Sequence, residues 1–298
     1  MPRPLRYQPD EWSTVFITGR CIQSRFLLTP SPRVNSLING ILQRGCARYA
    51  VRLHAMCFMS NHYHLLLSSK DAAATSSFMQ FILSNIAREI GRLRHWREKF
   101  WGRRYRASVV LDEAAQIDRL KYILSNSVKE GLVKHPRYWP GVHCYRHVTE
   151  GTRLDGIWID RTLGYKRADL TEEDITHQSV LNLEPLPCLA HLPRHEYQQT
   201  IKTLTKDTLD ECDLTQRFIG TKRILAQNPL SAPDTISRSP APLVHCVCPK
   251  LKQVFVEAYR AFVSAYKEAY QRCVRMRLFT EFPHGSLPPT AWFAHTTG

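Results

Sequence analysis

The stretch Phe58-Met59-Ser60-Asn61-His62-Tyr63-His64-Leu65-Leu66-Leu67 decides how the first half of the chain folds. On its N-terminal side, Tyr49 to Met59 reads as a strand, and His62 to Ser68 reads as the next. The link between them is short and contains Asn61, so the two strands form an antiparallel hairpin. Side chains alternate faces along a strand, so His62 and His64 share one face and Tyr63 takes the other. Two imidazoles one pleat apart can grip one divalent cation. A His-x-His on a strand also arises by chance, and alone it is more often structural or solvated than ligating.

Working outward, Trp12 to Cys21 is rich in β-branched and aromatic residues and reads as a first strand. Pro30 and Pro32 break the chain, and Leu37, Ile38, Ile41 and Leu42 give Asn35 to Arg48 a helical period. After the hairpin, Phe78, Phe81, Ile82, Ile86, Ile90 and Leu93 form one stripe of a helix from Thr75 to about Trp96. Ala107 to Leu111 is a fourth strand. Asp112 or Glu113 then opens a helix that ends near Gly131. The order β-α-β-β-α-β-α is that of an α+β, ferredoxin-like split βαβ fold, an antiparallel sheet with helices on one side.

This reading divides the chain into residues 1–145 and a mostly α-helical C-terminal extension, 146–298. Residues 1–12, with Pro2, Pro4 and Pro9, read as an arm. Residues 194–227 look helical, Asn228 to Pro242 is a linker by composition, and Cys248 to Leu278 reads as a long helix. Its stripe Phe255, Tyr259, Phe262, Tyr266 and Tyr270 suits a core better than a base-stacking platform. Pro283 to Pro289 is a turn-rich tail. The extension carries no constellation with a nameable chemistry.

Forty-one Lys and Arg oppose 26 Asp and Glu, a net charge of +15 that favours a polyanionic partner, with nucleic acid the first candidate. The nine cysteines are odd in number and form no CxxC pair, which reads as reduced cytosolic cysteine. No apolar run is long enough to span a bilayer and the N-terminus lacks a signal core. The expectation is a cytoplasmic, nucleoid-associated protein without a membrane partner.

Arg92 to Arg106 holds seven Lys or Arg against one Glu, with Trp96, Phe100, Trp101 and Tyr105 interleaved. Such a stretch suits single-stranded nucleic acid, cations for phosphates and rings for bases. It also suits a solvated helix end with its aromatics in the core, and the rings are expected to divide between the two roles. Arg92, Arg94, Arg97, Lys99, Arg103, Arg104, Arg106 and, beside Tyr122, Lys121 are the candidate DNA contacts.

A metal on His62 and His64 needs a further ligand. Asn126 offers an amide oxygen if its helix packs on the face that carries the histidines. Tyr122 then lies one turn away, because residues four apart share a helix face. Tyrosine can serve as a covalent nucleophile, and a divalent cation on the target phosphate would orient and neutralise it. Tyr63 points away from the histidines, and Tyr105 better suits packing or backbone contact.

These pieces together resemble the HUH single-tyrosine transposases and, within them, the REP-associated tyrosine transposases. The resemblance rests on Phe58 to Leu67, Phe100-Trp101-Gly102-Arg103-Arg104-Tyr105, Leu120 to Lys129, Gly131-Leu132-Val133 and Trp139-Pro140-Gly141, and spans about residues 10–145. It implies Mg²⁺ or Mn²⁺ on His62 and His64, Tyr122 as nucleophile, and Asn126 completing the metal site. It further implies attack on single-stranded DNA near hairpins, giving a 5′-phosphotyrosine and a free 3′-hydroxyl. The family holds both monomers and homodimers. Ser127 stands where related sequences usually have proline. Two other readings compete: a catalytically silent DNA-binding regulator of the same fold, and a metal-dependent hydrolase of RNA or nucleotides that uses water.

Overall fold

The computed structural model describes residues 5–234, 242–287 and 289. The first half runs β1 (Thr14–Arg20), α1 (Pro32–Arg48), β2 (Val51–Phe58), β3 (His62–Ser69), α2 (Ala72–Leu93), β4 (Arg106–Val110) and α3 (Glu113–Lys129). The order read from periodicity is the order found. Beyond it come α4 (Tyr145–Glu150), β5 (Leu154–Ile159), α5 (Arg161–Lys166), β6 (Thr176–Leu181), α6 (Arg194–Asp210), α7 (Thr221–Leu225), β7 (Val244–His245) and α8 (Pro249–Tyr270).

The main sheet has the order β2-β3-β1-β4-β7. β3 is antiparallel to both β2 and β1, and β1 is antiparallel to β4, which is the split βαβ arrangement. β7 adds two residues in parallel, Val109 opposite Val244 and Val110 opposite His245.

The helices do not all lie on one side. α2 covers the face that carries Tyr63: Trp101 packs on the Tyr63 ring and donates its indole N–H to the Leu83 carbonyl, and Ser69 bonds Thr75. α1 pairs with α2, where Gly45 lets Phe78 and Ile82 approach its backbone. α3 covers the opposite face, where Tyr122 meets Phe16 and His64. The one-sided expectation therefore holds for α1 and α2 and fails for α3. The cause is visible in β3, whose residues from Tyr63 to Ser69 are all buried. A strand buried on both faces needs cover on both.

The second half folds back on the first. A hairpin of β5 and β6, inside the extension expected to be mostly α-helical, lies on α1. Gly40 and Gly156 bring the two backbones so close that a Cβ on either would overlap the other, and Asn39 donates to the Asp155 carbonyl at 3.0 Å. Leu186, Tyr197, Ile201 and Ile224 share one core with Ile123 and Leu124 of α3. The helical stretch expected over 194–227 is interrupted: α6 stops at Asp210 and α7 starts at Thr221. The expected long helix from 248 ends at Tyr270, followed by a π-helical turn to Arg275.

The α8 stripe is core at Phe255 and Phe262 and half-buried at Tyr259 and Tyr266, whereas Tyr270, at the end of the helix, is exposed. Phe255, Tyr259 and Phe262 pack around Tyr7, and the Tyr266 hydroxyl donates to the Leu287 carbonyl. The N-terminal segment is thus tucked in from Tyr7 and Gln8, the latter donating to the Ser69 carbonyl at 2.7 Å. Residues 1–4 of the expected arm, 235–241 of the expected linker and 288 of the tail lie outside the described residues. Among the described residues no helix is long and apolar enough to cross a membrane.

One side chain ties the C-terminal half to the start of α3. The Asp112 carboxylate caps α3 by accepting from Ala115 N–H at 2.7 Å. Its other oxygen accepts from Val247 N–H at 2.8 Å, Cys248 N–H at 2.9 Å and the Cys246 thiol at 3.0 Å. Desolvation would raise its pKa, but these donors outweigh it and hold the acid down to about 2 from 3.8. A carboxyl with a depressed folded-state pKa stabilises the fold above its unfolded pKa and loses that contribution as pH falls through the folded one. Asp112→Ala is therefore expected to cost about 1–2 kcal/mol in urea unfolding at neutral pH. The difference from wild type should shrink on titration from pH 4 towards pH 2.

Candidate metal and nucleophile site

β3 places His62 opposite Arg20 and His64 opposite Thr18 on β1. On its other side His64 faces Cys57 of β2. The pleat puts both imidazoles on the face covered by α3, with ring centroids 5.0 Å apart. Tyr63 is fully buried on the opposite face, stacked near Phe58 and closed over Gly19. It is thereby removed from the site, as the alternation predicted.

The loop that starts β3 is fastened at several points. Asn61 accepts from Cys21 N–H through its carbonyl, Ser60 does so from Leu28 N–H, and the Asn61 amide donates to the Ser24 carbonyl. The Asn61 Oδ1 lies 2.6 Å from His62 Nδ1. That contact requires the proton on Nδ1, which leaves the Nε2 lone pair directed at α3. Such an anchored second nitrogen is the usual way a ligating histidine is oriented.

α3 delivers Arg119, Tyr122 and Asn126 at spacings of three and four, so they form one stripe towards the sheet. Asn126 is buried, and its Nδ2 lies 3.4 Å from His62 Nε2. Amide oxygen and nitrogen exchange by a flip, so either can face the histidines. The Tyr122 ring stands edge-on to His64 at 5.1 Å and to Phe16 at 5.8 Å. Phe16 in turn stacks on His64 at 5.6 Å. His62, His64, Tyr122 and Asn126 are thus gathered at one place by β3 and α3. Ser127 keeps the backbone N–H that proline would lack, and α3 runs unbroken through it to Lys129.

Burial, with Arg20 nearby, lowers His62 to a pKa of about 3. Burial first, and then His62, Arg20 and Arg119, hold His64 well below the ordinary range. Both imidazoles are neutral at pH 7, the form that ligates metals. Burial also raises the Tyr122 phenol, and Glu130 adds to the rise while Arg119 opposes it. The phenol therefore needs a positive charge beside it to act as a nucleophile.

The donor set fits a divalent cation. Both nitrogens of His64 are buried without a hydrogen-bond partner, a state that buried polar atoms rarely keep. They lie beside a His62 Nε2 whose one partner is the Asn126 amide at 3.4 Å, a contact that a flip of that amide would exchange for an inward-facing oxygen. Among the described residues no three His, Cys, Asp or Glu converge, and the Asn126 amide is the neighbouring side chain that could add an oxygen to the two imidazoles. Two imidazoles with oxygen ligands suit Mn²⁺ or Mg²⁺ completed by phosphate or water oxygens.

The sequence reading missed three neighbours. Phe16 is the hydrophobic wall, and nothing in its strand marks it out. Arg119 lies over the rings of Phe16 at 5.6 Å and Tyr122 at 5.4 Å; its spacing from Tyr122 was the available signal. His245 of β7 reaches Phe16 edge-on at 5.4 Å, and only the sheet pairing could reveal it.

The candidate DNA contacts separate. Arg97, Lys99, Arg103, Arg104 and Arg106 are exposed, Arg92 is shared with Glu89, and Lys121 is half-buried beside Tyr122. Arg94 turns inward and donates to the Thr29 carbonyl at 2.6 Å. The interleaved aromatics do not divide as expected. Phe100 is buried, and Trp96, Trp101 and Tyr105 pack against the core. Tyr105 lies under the Arg6 guanidinium at 4.2 Å, well into its own packing role.

Residues 20–126 match the Y1_Tnp family model, described as Transposase IS200 like, and this segment holds all four gathered residues. The match agrees with the resemblance carried by the motifs and supports a transposase-type function for the segment it covers. Among solved structures, a REP-associated tyrosine transposase bound to a REP hairpin is 18% identical, with a TM-score of 0.42 over 51% of this chain and 87% of that one. A candidate transposase from Deinococcus radiodurans is 17% identical, with a TM-score of 0.30 over 41% of this chain and 95% of that one. No curated protein matches the chain.

The orphaned imidazole leads to a binding test independent of catalysis. Millimolar Mn²⁺ should raise the thermal midpoint of the wild-type protein, the gain growing by RT ln(1 + [M]/Kd), about 2.7 kcal/mol at a hundredfold excess over Kd. His64→Ala should abolish the metal-dependent shift, and an equal shift in that variant would rule out this cation site.

Proposed function

We propose that the protein is a metal-dependent single-stranded DNA endonuclease and strand transferase that works through a covalent phosphotyrosine. The observation that carries this reading is the convergence of one phenol, two neutral imidazoles and one carboxamide across the β3–α3 interface. A water-using hydrolase has no use for a tyrosine ring seated edge-on against a ligand candidate. The chemistry follows from the parts. The Tyr122 hydroxyl gives up its proton to solvent, and its oxygen attacks the phosphorus of a backbone phosphodiester. An O–P bond to Tyr122 forms and the bond to the 3′ oxygen breaks. That oxygen leaves with the electron pair and takes a proton from water. The products are a 5′-phosphotyrosine and a free 3′-hydroxyl, with no net loss of phosphoester bonds. Rejoining is the reverse attack by another 3′-hydroxyl and needs no nucleotide cofactor.

His62, His64 and Asn126 would hold Mg²⁺ or Mn²⁺, and when bound that cation would withdraw charge from the target phosphate and fix it for in-line attack. The chain's own residues do the rest. Phe16 and His64 wall the Tyr122 ring and restrict it to one approach. Asn61 sets the tautomer of His62. The exposed cations Arg97, Lys99, Arg103 and Arg104 supply phosphate contacts for a single strand folded as a hairpin.

The test is an SDS-resistant adduct on labelled single-stranded hairpin DNA. Wild type with Mn²⁺ should form it, EDTA should suppress it, and Tyr122→Phe should give none while keeping hairpin affinity within about threefold, since one hydroxyl adds little to a charge-driven interface. An adduct that persists in Tyr122→Phe would remove Tyr122 as nucleophile. Hairpin binding without any adduct across the divalent metals would favour the silent regulator.

A further inference from the structure

Arg119 stands apart from the other half-buried arginines in the way its guanidinium is used. Arg161 donates to Glu89 and Glu172, and Arg94 to a backbone carbonyl. Arg119 has no hydrogen bond or ion pair among the described residues, and its Nε is buried without a partner. It lies over the ring faces of Phe16 and Tyr122. A guanidinium has five donors and no acceptor, and placing it half out of water without an ion pair is costly; Asp118 beside it acts at longer range and makes no ion pair. The spacing is equally specific. Arg119 lies one turn before Tyr122 on the stripe that faces the sheet, and Asn126 lies one turn after it. The phenol thus sits between the amide end of the site and a cation with unspent donors.

We propose that Arg119 is a catalytic residue whose guanidinium binds the scissile phosphodiester that Tyr122 attacks. The inference rests on Tyr122 being the nucleophile and deepens that reading. A phosphodiester under attack carries its charge on two non-bridging oxygens, and the planar fork of arginine matches such a pair of oxygens bidentately. Arg119 neutralises one face of the phosphate from α3 itself, with no contribution from DNA outside the cleaved linkage. Its effect falls on the transition state, where the charge is drawn together, more than on hairpin affinity, which many surface cations share.

The experiment measures single-turnover adduct formation by full-length protein on two hairpins, one with a natural phosphodiester at the cleaved linkage and one with a neutral methylphosphonate there. On the natural substrate Arg119→Ala should slow the adduct about a hundredfold, in the range of losing one oxyanion donor. Arg119→Lys should recover part of the rate. On the methylphosphonate, which has no negative oxygen to neutralise, the ratio of wild type to Arg119→Ala should fall towards one. A merely structural role for Arg119 would slow both substrates alike, and an equal ratio on the two overturns the proposal. So does an unimpaired rate for Arg119→Ala on the natural substrate. Should Arg119→Ala fail to fold, Arg119→Lys carries the same two-substrate comparison. Failure of wild type to form any adduct overturns the nucleophile reading itself, a result distinct from a wild-type adduct that ignores Arg119.

Discussion

A buried, uncharged imidazole with nothing to bond is an expensive thing for a fold to hold. His64 is one, enclosed by Phe16 and Tyr122, with both ring nitrogens unpartnered. The surrounding architecture accounts for how it is kept there. β3 is a central strand paired on both sides, so its register cannot slip without turning the histidines to the other face. Tyr63 locks the same register from the opposite face, filling the space over Gly19 that any larger residue would block. The core and the site are therefore two faces of one strand, and neither can be shifted alone.

The second half of the chain acts as a brace around this strand and its helix. Ser60, in the loop that starts β3, donates to the Gln227 side chain at 2.6 Å. Ile219 and Gly220 donate to the carbonyls of Gly131 and Leu132 where the chain leaves α3. Asp112 holds residues 246–248 at the other end of α3. These contacts reach both elements whose relative placement brings the phenol to the imidazoles. A helix positioned at both ends and a strand fixed at its first loop leave little freedom for the gap between them. All of these partners lie outside the segment 20–126 that matches the transposase family.

Much of this was legible in the residues. Period-two and period-3.6 patterns gave seven elements in order, because strongly apolar stripes such as Phe78, Ile82 and Ile86 have one helical solution. The strand alternation assigned His62, Tyr63 and His64 to their faces without coordinates. What the sequence hid was whatever depends on packing between distant segments. The face taken by α3 followed from both faces of β3 being apolar, a run that periodicity alone leaves ambiguous. The β5–β6 hairpin was obscured because its register against α1 depends on a glycine pair 116 positions apart, Gly40 and Gly156. His245 is carried to the site by a two-residue strand, too short for any pattern to register. Phe16 and Arg119 are ordinary residues until Tyr122 is set between them.

The same dependence on packing changes how the basic stretch 92–106 is to be understood. Its composition alone offers both cations for phosphates and rings for bases. Folding separates them: Phe100 and Trp101 close the core under Tyr63, Trp96 packs at its edge beneath Arg25, and Tyr105 is covered by Arg6. Arg97, Lys99, Arg103 and Arg104 remain outside. A surface of cations without available rings contacts phosphates and carries no base code of its own. Under the proposed function, binding through it would fall steeply with salt and tolerate any sequence. On the proposed function, selectivity for one nucleic-acid site over another would then come from the shape that a folded strand presents to this surface, or from contacts closer to Tyr122, where Arg119 lies.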